Sequence, residues 1–312
     1  MIREKSRGVF LFRVRNQVGC KDVSDLKPEN IPTIAVLDTG VALHPDFLGR
    51  IIGYKDFING KTSIYDDNGH GTHVCGIIAG NGSLSGGKYR GMAPFANLLV
   101  GKVLDEKGDG TVENMIAGLQ WVLEKKEECN IKIVNISVGI GQLKSSKKEK
   151  QLIGWLEKTW DEGVVVVCSA GNNGPKEDSL SPLGKSRKVI TVGCHDGEYY
   201  KNSPNRCEIY SSRGRMSMVE RKPDIVAPGT EIVSCDAGCK KTRRGFHSAY
   251  SKKSGTSMAT AIVSGALGVL FAAHGQYGNE HAKKKLLYSA RDLGEPWCKQ
   301  GYGMLDFEKL LQ

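Results

Sequence analysis

Alternation of apolar runs with amphipathic stretches is the sequence feature that most limits the fold. Five runs are apolar almost without interruption, as expected of strands covered on both faces of a parallel sheet. Two stretches between them repeat apolar residues with helical spacing. The pattern predicts an α/β fold with a mostly parallel central sheet and helices on both faces. The predicted strands are 33–38, 97–104, 131–139, 163–171 and 189–193, and the predicted helices are 112–128 and 148–163.

The 312 residues contain no repeat, linker or low-complexity segment that would divide them into several domains. We therefore expect one domain, residues 31–312, preceded by an N-terminal extension, residues 1–30. The apolar segment 9–15 of this extension could pair with an edge of the sheet, and a disordered tail is the open alternative. The extension is a candidate for regulating the domain that follows it.

The net charge of +10 raises the question of a nucleic-acid partner. The basic residues cluster at 144–150 and 240–253, and neither cluster lies near an aromatic-rich RNA-binding motif or a recognition-helix pattern. Solvated loops are the simpler interpretation, so we expect no nucleic-acid partner. No stretch approaches the roughly 18 apolar residues of a membrane span, so we expect no membrane either. The sequence does not predict the oligomeric state.

The N-terminal segment and the cysteines predict a cytoplasmic location. Residues 1–19 are too short and too interrupted by arginine for a signal peptide. Nine cysteines, an odd number without a metal-like pair, fit reduced thiols better than a set of disulfides. Cys235 and Cys239 are close enough in sequence to deserve notice, with a surface turn as the simpler interpretation.

Asp38 follows the first apolar run and opens the triplet Asp-Thr-Gly. A carboxylate at the carboxyl edge of a buried strand lies where α/β sheets place their ligands and chemistry. In an aspartic protease it would share a proton with a second aspartate, and in a serine protease it would orient a histidine. The chain carries only one such triplet, and the helix–strand alternation conflicts with the all-β architecture of the aspartic class. The serine interpretation is therefore favoured.

Three further residues complete that interpretation. NGHGTHVCG presents His70 in a glycine-rich turn that leads into a helix of small residues, and SGTSMATAIV presents Ser257 at the start of a second one. The hydroxyl of a serine there can form a hydrogen bond with an imidazole. Its own backbone N–H is unpaired and can stabilise developing negative charge. SAGNNG places Asn172 at the end of a buried strand, where its amide can serve as an oxyanion donor.

With these residues in place, the sequence resembles the subtilisin family of serine proteases. The resemblance rests on the order Asp38, His70, Ser257 and on the motifs DTG, HGTH, GN after a small-residue strand, and GTSMA. It runs from about residue 33 to 270 and resumes at 302–311. The short extension at the front resembles the intracellular bacterial branch, since secreted relatives carry a signal and a propeptide of domain size.

The resemblance implies a role for each of the four residues. Ser257 would attack the scissile carbonyl, His70 would take its proton and return it to the leaving amine, and Asp38 would hold the imidazole tautomer. Asn172 and the N–H of Ser257 would bind the oxyanion. His73, the second histidine of HGTH, is predicted to be a packed structural residue, because a zinc site there would need a fourth ligand that no nearby residue supplies.

By resemblance, two backbone segments would pair with an extended polypeptide substrate as edge strands, so that the substrate is recognised mainly through its main chain. Residues just before His70 are assigned to substrate binding as well. The assigned residues are Gly108, Asp109 and Gly110, then Ser137, Val138 and Gly139, together with Asn68 and Asp67.

An acidic bias around these segments suggests a preference for basic side chains on the non-primed side of the cut. The acidic residues are Asp66, Asp67, Asp105, Glu106 and Asp109. A merely solvated acidic rim is the alternative.

Departures from the family pattern leave other points open. Segment 81–91 does not match the calcium-binding loop of the secreted enzymes, so no cofactor is expected to be required and calcium, with Asp46 among its ligands, stays possible. Ala-Thr-Ala follows the GTSM motif where the family usually has Ala-Ser-Pro-His.

Two functional alternatives stay open. One is a protease dedicated to maturing one precursor, and the other is a catalytically silent binding module with the same fold.

Overall fold

The computed structural model describes residues 11–20, 23, 26, 29–138, 146–200, 203–217, 220–243 and 245–312. Within these residues the chain forms a seven-stranded sheet and two small two-stranded sheets. The helices are α1 (Leu11–Gln17), α2 (His70–Ala79), α3 (Val112–Lys125), α4 (Ser146–Asp161), α5 (Thr256–Ala273), α6 (Asn279–Ser289), α7 (Trp297–Gln300) and α8 (Phe307–Leu311). The strands are β1 (Thr33–Asp38), β2 (Ile51–Asp56), β3 (Asn97–Lys102), β4 (Ile131–Ile136), β5 (Val165–Ser169), β6 (Ile190–Cys194), β7 (Ile225–Ala227), β8 (Ile232–Cys235), β9 (Lys240–Thr242), β10 (Gly245–His247) and β11 (Tyr250–Lys253).

The large sheet is parallel throughout and has the strand order β2-β3-β1-β4-β5-β6-β7. Helices cover both of its faces. Ile34 and Leu37 of β1 differ in parity along the strand, so their side chains point to opposite faces. Ile34 lies against Gly268 of α5, whereas Leu37 lies against Gly118 of α3. The predicted α/β architecture is confirmed.

All five predicted strands are present, and β1 has the predicted ends. The prediction missed the two strands at the edges of the sheet, β2 and β7. β2 is half exposed and contains a glycine, and β7 has only three residues. Neither strand therefore produces the long apolar run by which the central strands were recognised.

Helix α5 passes through the centre of the molecule. It has 18 residues with a mean hydropathy of 1.7, so it is long and apolar enough to span a membrane, contrary to the prediction that no stretch approaches that composition. Within the protein, 89% of this helix is buried. Its composition is explained by burial against the sheet on one side and against α2 on another.

The described part of the N-terminal extension is a helix packed on the body of the protein. In α1, Val14 is fully buried and the Arg13 guanidinium donates a hydrogen bond to the Thr230 carbonyl at 2.9 Å. Past the helix, the Val18 carbonyl accepts from Phe307 N–H at 2.7 Å. The predicted edge strand at 9–15 is therefore wrong for residues 11–15, since these residues are helical and the helix packs through Arg13 and Val14; residues 9 and 10 lie outside the described part.

Cysteine pairing also differs from the prediction. Cys194, at the end of β6, and Cys207 form a disulfide with their Cα atoms 5.7 Å apart, so the prediction of nine reduced thiols is wrong for this pair. Cys235 and Cys239 are not joined to each other. The pairing arises because the chain returns beside β6 thirteen residues later, which the spacing in sequence does not reveal.

Candidate functional site

Asp38 and His70 meet at the carboxyl edge of the large sheet. Asp38 is the last residue of β1 and His70 the first residue of α2, and the imidazole Nδ1 lies 2.7 Å from Asp38 Oδ1. The carboxylate is fully buried and the imidazole is 24% exposed. A carboxylate can only accept, so Nδ1 carries the proton and Nε2 keeps its lone pair.

Electrostatics around His70 adjust its basicity. Burial disfavours the charged imidazolium, but the charge of Asp38 and the hydrogen bond to it outweigh burial, so the pKa of His70 lies above its ordinary value. Lys253, on β11, acts in the opposite direction. The imidazole is consequently a better base than a free histidine while still neutral at alkaline pH.

A hydrogen-bond network fixes the loop after Asp38 to the start of α2. Thr39 Oγ1 accepts from Gly71 N–H at 2.9 Å and donates to Asp66 at 2.9 Å. The other carboxylate oxygen of Asp66 accepts from the backbone N–H and the hydroxyl of Thr72, at 2.9 and 2.6 Å. These bonds outweigh the cost of burying Asp66 and lower the pKa of its carboxyl, so it stays ionised at the centre of the network.

Two glycines allow the same segments to approach closely. A Cβ added at Gly71 would overlap the carbonyl oxygen of Gly40. Gly40 itself has φ +113°, and a Cβ there would overlap the Tyr65 carbonyl. Only glycine fits at either position, so the DTG and HGTH motifs include the residues that let the Asp38 loop and the His70 helix touch.

Ser257 is the second residue of α5, the central helix. Gly255 precedes the helix with φ 153° and ψ 166°, a conformation that is essentially restricted to glycine. The Ser257 hydroxyl donates a 2.6 Å hydrogen bond to the Ser137 carbonyl, which follows β4. Among the described residues this is the bond the hydroxyl makes, so the structure holds the serine beside the neighbouring strand rather than bonded to His70.

Asn172 follows β5 and is tied to the start of α5. Its Oδ1 accepts from the backbone N–H of Thr256 at 3.1 Å and from the Thr256 hydroxyl at 3.0 Å. The backbone N–H is an unambiguous donor, so this contact fixes which end of the amide is oxygen. Asn172 Nδ2 and the backbone N of Ser257 both lie within 4 Å of the position that a Cβ on Gly255 would occupy.

Taken together, these groups have the components for acyl transfer. A neutral imidazole with a free Nε2 can serve as a general base, and its Nδ1–H is already held by a buried carboxylate. The Ser257 N–H near the start of α5 and the Asn172 amide are donors suited to a developing oxyanion. A hydroxyl at the same helix end can act as the nucleophile.

The residues assigned to substrate binding differ in where the structure places them. Ser137 and Val138 follow β4 directly beside Ser257, whereas Gly139 lies outside the described residues. Gly108, Asp109 and Gly110 belong to a loop, not to a regular strand, and the Asp105 carboxylate accepts the N–H of Asp109 at 2.9 Å. Asn68 joins this loop to the centre, because its Nδ2 donates to Glu106 O and its Oδ1 accepts from His70 N–H.

The acidic residues before His70 are used inside the protein. Asp66 is the network centre described above, and Asp67 forms an ion pair at 2.6 Å with the fully buried ammonium of Lys102. Both carboxylates therefore have partners in the protein, although 34% of the Asp67 side chain is exposed, and their assignment to a basic-selective rim and that of Asp67 to substrate binding stay predictions. Glu106 and Asp109 stay exposed.

Sequence reasoning missed Lys102 altogether. Its ammonium lies beneath the site and also donates to the carbonyls of Thr39 and Leu104, each at 2.8 Å. The signal available was its position at the end of an apolar strand beside β1, where a lysine is unexpected.

His73 has the predicted structural role. It is fully buried, and its Nε2–H faces the carbonyls of Ile232 and Ser251 at 3.1 and 3.2 Å. Burial holds its pKa down to about 3, so the ring is neutral at physiological pH.

The surroundings of Asp46 do not fit a calcium ion. Its buried carboxylate accepts from the N–H groups of Gly82 and Leu84, from the Ser83 hydroxyl and from the Tyr250 hydroxyl at 2.9 Å. Calcium requires six to eight oxygen ligands, whereas segment 81–91 presents N–H donors to Asp46. These donors occupy the carboxylate in place of a cation.

Known proteins resemble this chain over most of its length. The model of the Subtilase family matches residues 30–304. Serine protease AprX of Bacillus subtilis (strain 168) is 43% identical over 245 residues, which are 75% of this chain and 55% of that protein, so this chain spans about half the length of that relative. Major intracellular serine protease of the same organism is 35% identical over 274 residues, covering 84% of this chain and 73% of that protein.

A solved structure extends the likeness to the fold. The structure named Sphericase has a TM-score of 0.80 at 26% identity and covers 97% of this chain and 99% of its own. The residues covered by the family match include Asp38, His70, Asn172 and Ser257. This chain belongs to the subtilase family.

Proposed function

We propose that this chain is a serine endopeptidase that hydrolyses peptide bonds through an acyl-enzyme. The observation that carries the proposal is the 2.7 Å contact between Asp38 and His70 beside a helix that begins with Ser257. The coarser part, a protease of the subtilase type, is supported by the family match and by the relatives named serine protease. The roles of individual residues are part of the proposal.

In the proposed reaction, the Ser257 side chain rotates from the Ser137 carbonyl toward His70 Nε2. The hydroxyl oxygen attacks the scissile carbonyl carbon while its proton passes to Nε2, and the carbonyl oxygen becomes an oxyanion between Asn172 Nδ2 and the Ser257 N–H. Asp38 stabilises the imidazolium, which then protonates the leaving amine. A water molecule attacks the acyl-enzyme with His70 again as base, and Ser257 is regenerated.

An active-site label tests the proposal directly. The chain is expected to react with a fluorophosphonate probe and to cleave an unstructured protein such as casein. In Ser257→Ala, labelling is expected to vanish and turnover to fall by about 10⁶-fold. Ser264→Ala supplies a matched control, because Ser264 is also a buried serine of α5 but bonds to Asn135 deep in the core. Equal labelling of wild type and Ser257→Ala would disprove the assignment.

We also propose selectivity for basic residues on the non-primed side of the cut, supported by fewer carboxylates than the sequence suggested. Asp66 and Asp67 already have partners in the protein, so the exposed Glu106 and Asp109 give it the clearest support. A peptide library varied before the cut is the test. Preference for acidic or purely apolar residues at those positions would contradict it.

We also propose the division into an extension, residues 1–30, and a peptidase domain, residues 31–312. A cytoplasmic location is supported by the relative named intracellular and by cysteines that remain thiols, among them Cys75, Cys168 and Cys235. The disulfide between Cys194 and Cys207 instead favours an oxidising compartment. Because α1 buries Val14, deleting the extension is expected to change stability as well as any restraint on activity.

A further inference from the structure

A cavity of about 580 Å³ lies outside the site described above. Its walls are largely apolar and include Leu43, Phe47, Leu48, Ile64 and Phe246. Leu43 is 72% exposed, Leu48 85% and Phe246 40%, which is unusual for large apolar side chains grouped around one concave surface. The volume is within the range of ligand-binding pockets.

One wall of this cavity is connected to the segment that carries His70. The turn at 236–239 packs on that segment, since a Cβ added at Gly69 would lie 3.5 Å from Ala237 Cβ. Cys239 closes the turn, its N–H bonded to Asp236 O, and it lines the cavity. The hairpin β9–β10 continues from this turn and brings Phe246 to the same wall.

The opposite wall is connected to Asp38. Gly40 forms a β-bridge with Asp66, and Val41 N–H donates to Tyr65 O at 3.2 Å. Leu43 and Ile64, which lie just beyond these contacts, both line the cavity. The two walls therefore extend from the two loops that hold the acid–base pair.

The two residues just before His70 contact two different segments of the chain. Asn68 ties His70 to the loop that contains Gly108–Gly110 through Glu106 O, whereas Gly69 faces Ala237. A polypeptide that lies along Gly108–Gly110 and crosses His70 is thus directed toward the turn at 236–239 and the cavity behind it.

The cavity also has a basic rim. Lys240 and Lys241 on β9 are exposed, and Lys241 is part of the lining. Lys253, on the strand that leads to Ser257, lies near enough to His70 to disfavour its protonation. Lys240, Lys241 and Lys253, which the proposed chemistry leaves without a role, therefore border the path of the leaving segment.

We propose that this cavity binds the part of the polypeptide substrate on the leaving-amine side of the cut. It takes one large apolar side chain, and acidic residues next to that side chain pair with Lys241. The inference rests on the proposed endopeptidase function and adds selectivity after the cut to it. Phe246 and Leu43 form the apolar contact, and Lys241 supplies the charge preference.

The test compares substrates that are identical before the cut. One substrate is a short amide with an aminocoumarin leaving group, which has no residue after the cut. The others are quenched peptides that carry phenylalanine or alanine at one of the first four positions after the cut. The residue next to that position is glutamate or lysine. At one position, phenylalanine is expected to raise kcat/KM about tenfold over alanine. With glutamate beside the phenylalanine, kcat/KM is expected to be several-fold higher than with lysine, and this ratio is expected to fall at high salt.

Variants assign the effect to the cavity. Phe246→Ala and Leu43→Glu are expected to reduce the phenylalanine-to-alanine ratio to near one, and Lys241→Glu to reverse the glutamate preference. Both apolar side chains are substantially exposed, so folding is expected to survive, and thermal unfolding checks this. Tyr288→Ala and Lys284→Glu, exposed positions on α6, are matched controls expected to leave both ratios unchanged.

Two results would overturn the inference, and they are distinguishable. If the wild type cleaves the aminocoumarin amide but shows no preference at any position after the cut, or keeps its preference in Phe246→Ala and Leu43→Glu, the cavity is not the binding site. If the wild type neither cleaves the amide nor reacts with a fluorophosphonate, the endopeptidase function fails and the inference fails with it.

Discussion

The two halves of the candidate site are built differently. Asp38 and His70 are bonded to each other, and the segments that carry them are joined through Thr39 and Asp66 and by glycine contacts. The Ser257 hydroxyl is instead bonded to the Ser137 carbonyl, and in the proposed reaction it rotates toward the imidazole. The acid–base half is complete in this structure, while the nucleophile half is positioned but not engaged.

This difference indicates where each half derives its precision. The half that contains Asp38 and His70 depends on side-chain hydrogen bonds between loops, because loops lack the regular backbone hydrogen bonds of helices and strands. The second half depends on α5, whose first turn is set by burial of the helix and by Asn172. Substitutions in the first half should therefore alter proton transfer, whereas those in the second should alter nucleophile and oxyanion geometry.

The largest effect in this comparison is expected from Asp38→Asn. The amide can hold the wrong imidazole tautomer, so kcat should fall on the order of 10⁴-fold. Removal of the negative charge also lowers the pKa of His70, since the main contribution that opposes burial and Lys253 is then lost. Because the base must be neutral, the acid limb of the kcat/KM profile should move to lower pH. An unchanged pH midpoint would show that Asp38 does not tune His70.

An intermediate effect is expected at Asn172, in the other half. Asn172→Ala should lower kcat by about 10²–10³-fold with little change in KM, because the lost donor acts mainly on the oxyanion. Asn172→Asp keeps the oxygen that accepts from Thr256 and removes the amide donors, so it separates oxyanion binding from helix capping. Asn173→Ala, at the exposed neighbouring position, is the control. Full activity in Asn172→Asp would exclude the oxyanion role.

The smallest effect is expected from Gly71→Ala, which tests the fit between the segments of the first half. The added methyl must displace the Gly40 carbonyl, so the free energy of unfolding should fall by about 1–3 kcal/mol. A displacement of His70 by a fraction of an ångström should lower kcat about tenfold. Gly154→Ala on α4 meets no atom within 4 Å and should stabilise by about 0.5–1 kcal/mol. Denaturant unfolding and kinetics on both variants decide this; equal stability of the two would contradict the close contact.

The sequence predicted the architecture well where a local pattern carries the information. β1 and the helices α3 and α4 follow from apolar periodicity, and α2 and α5 follow from the small-residue segments after His70 and Ser257. The position of Asp38 at the end of a buried strand also follows from its apolar run. These features depend on neighbours along the chain, which a sequence displays directly.

Features that depend on distant partners were not predictable. Lys102 is buried because Asp67 and the Thr39 carbonyl come to it from another part of the chain. Asp66 looks like an exposed acid in the sequence, and only the convergence of Thr39 and Thr72 shows it to be an internal acceptor. The cavity beside the β9–β10 hairpin likewise forms between segments almost two hundred residues apart.

The burial of α5 has a consequence for how this protein loses its activity. The residue proposed as nucleophile begins the helix around which the rest of the molecule is packed, so no peripheral loop can fray and take it along. The serine is displaced only when the whole body opens. Under the proposed function, heat inactivation and global melting should therefore be a single event, and an unfolding copy would become a substrate for its intact neighbours as it ceases to cut.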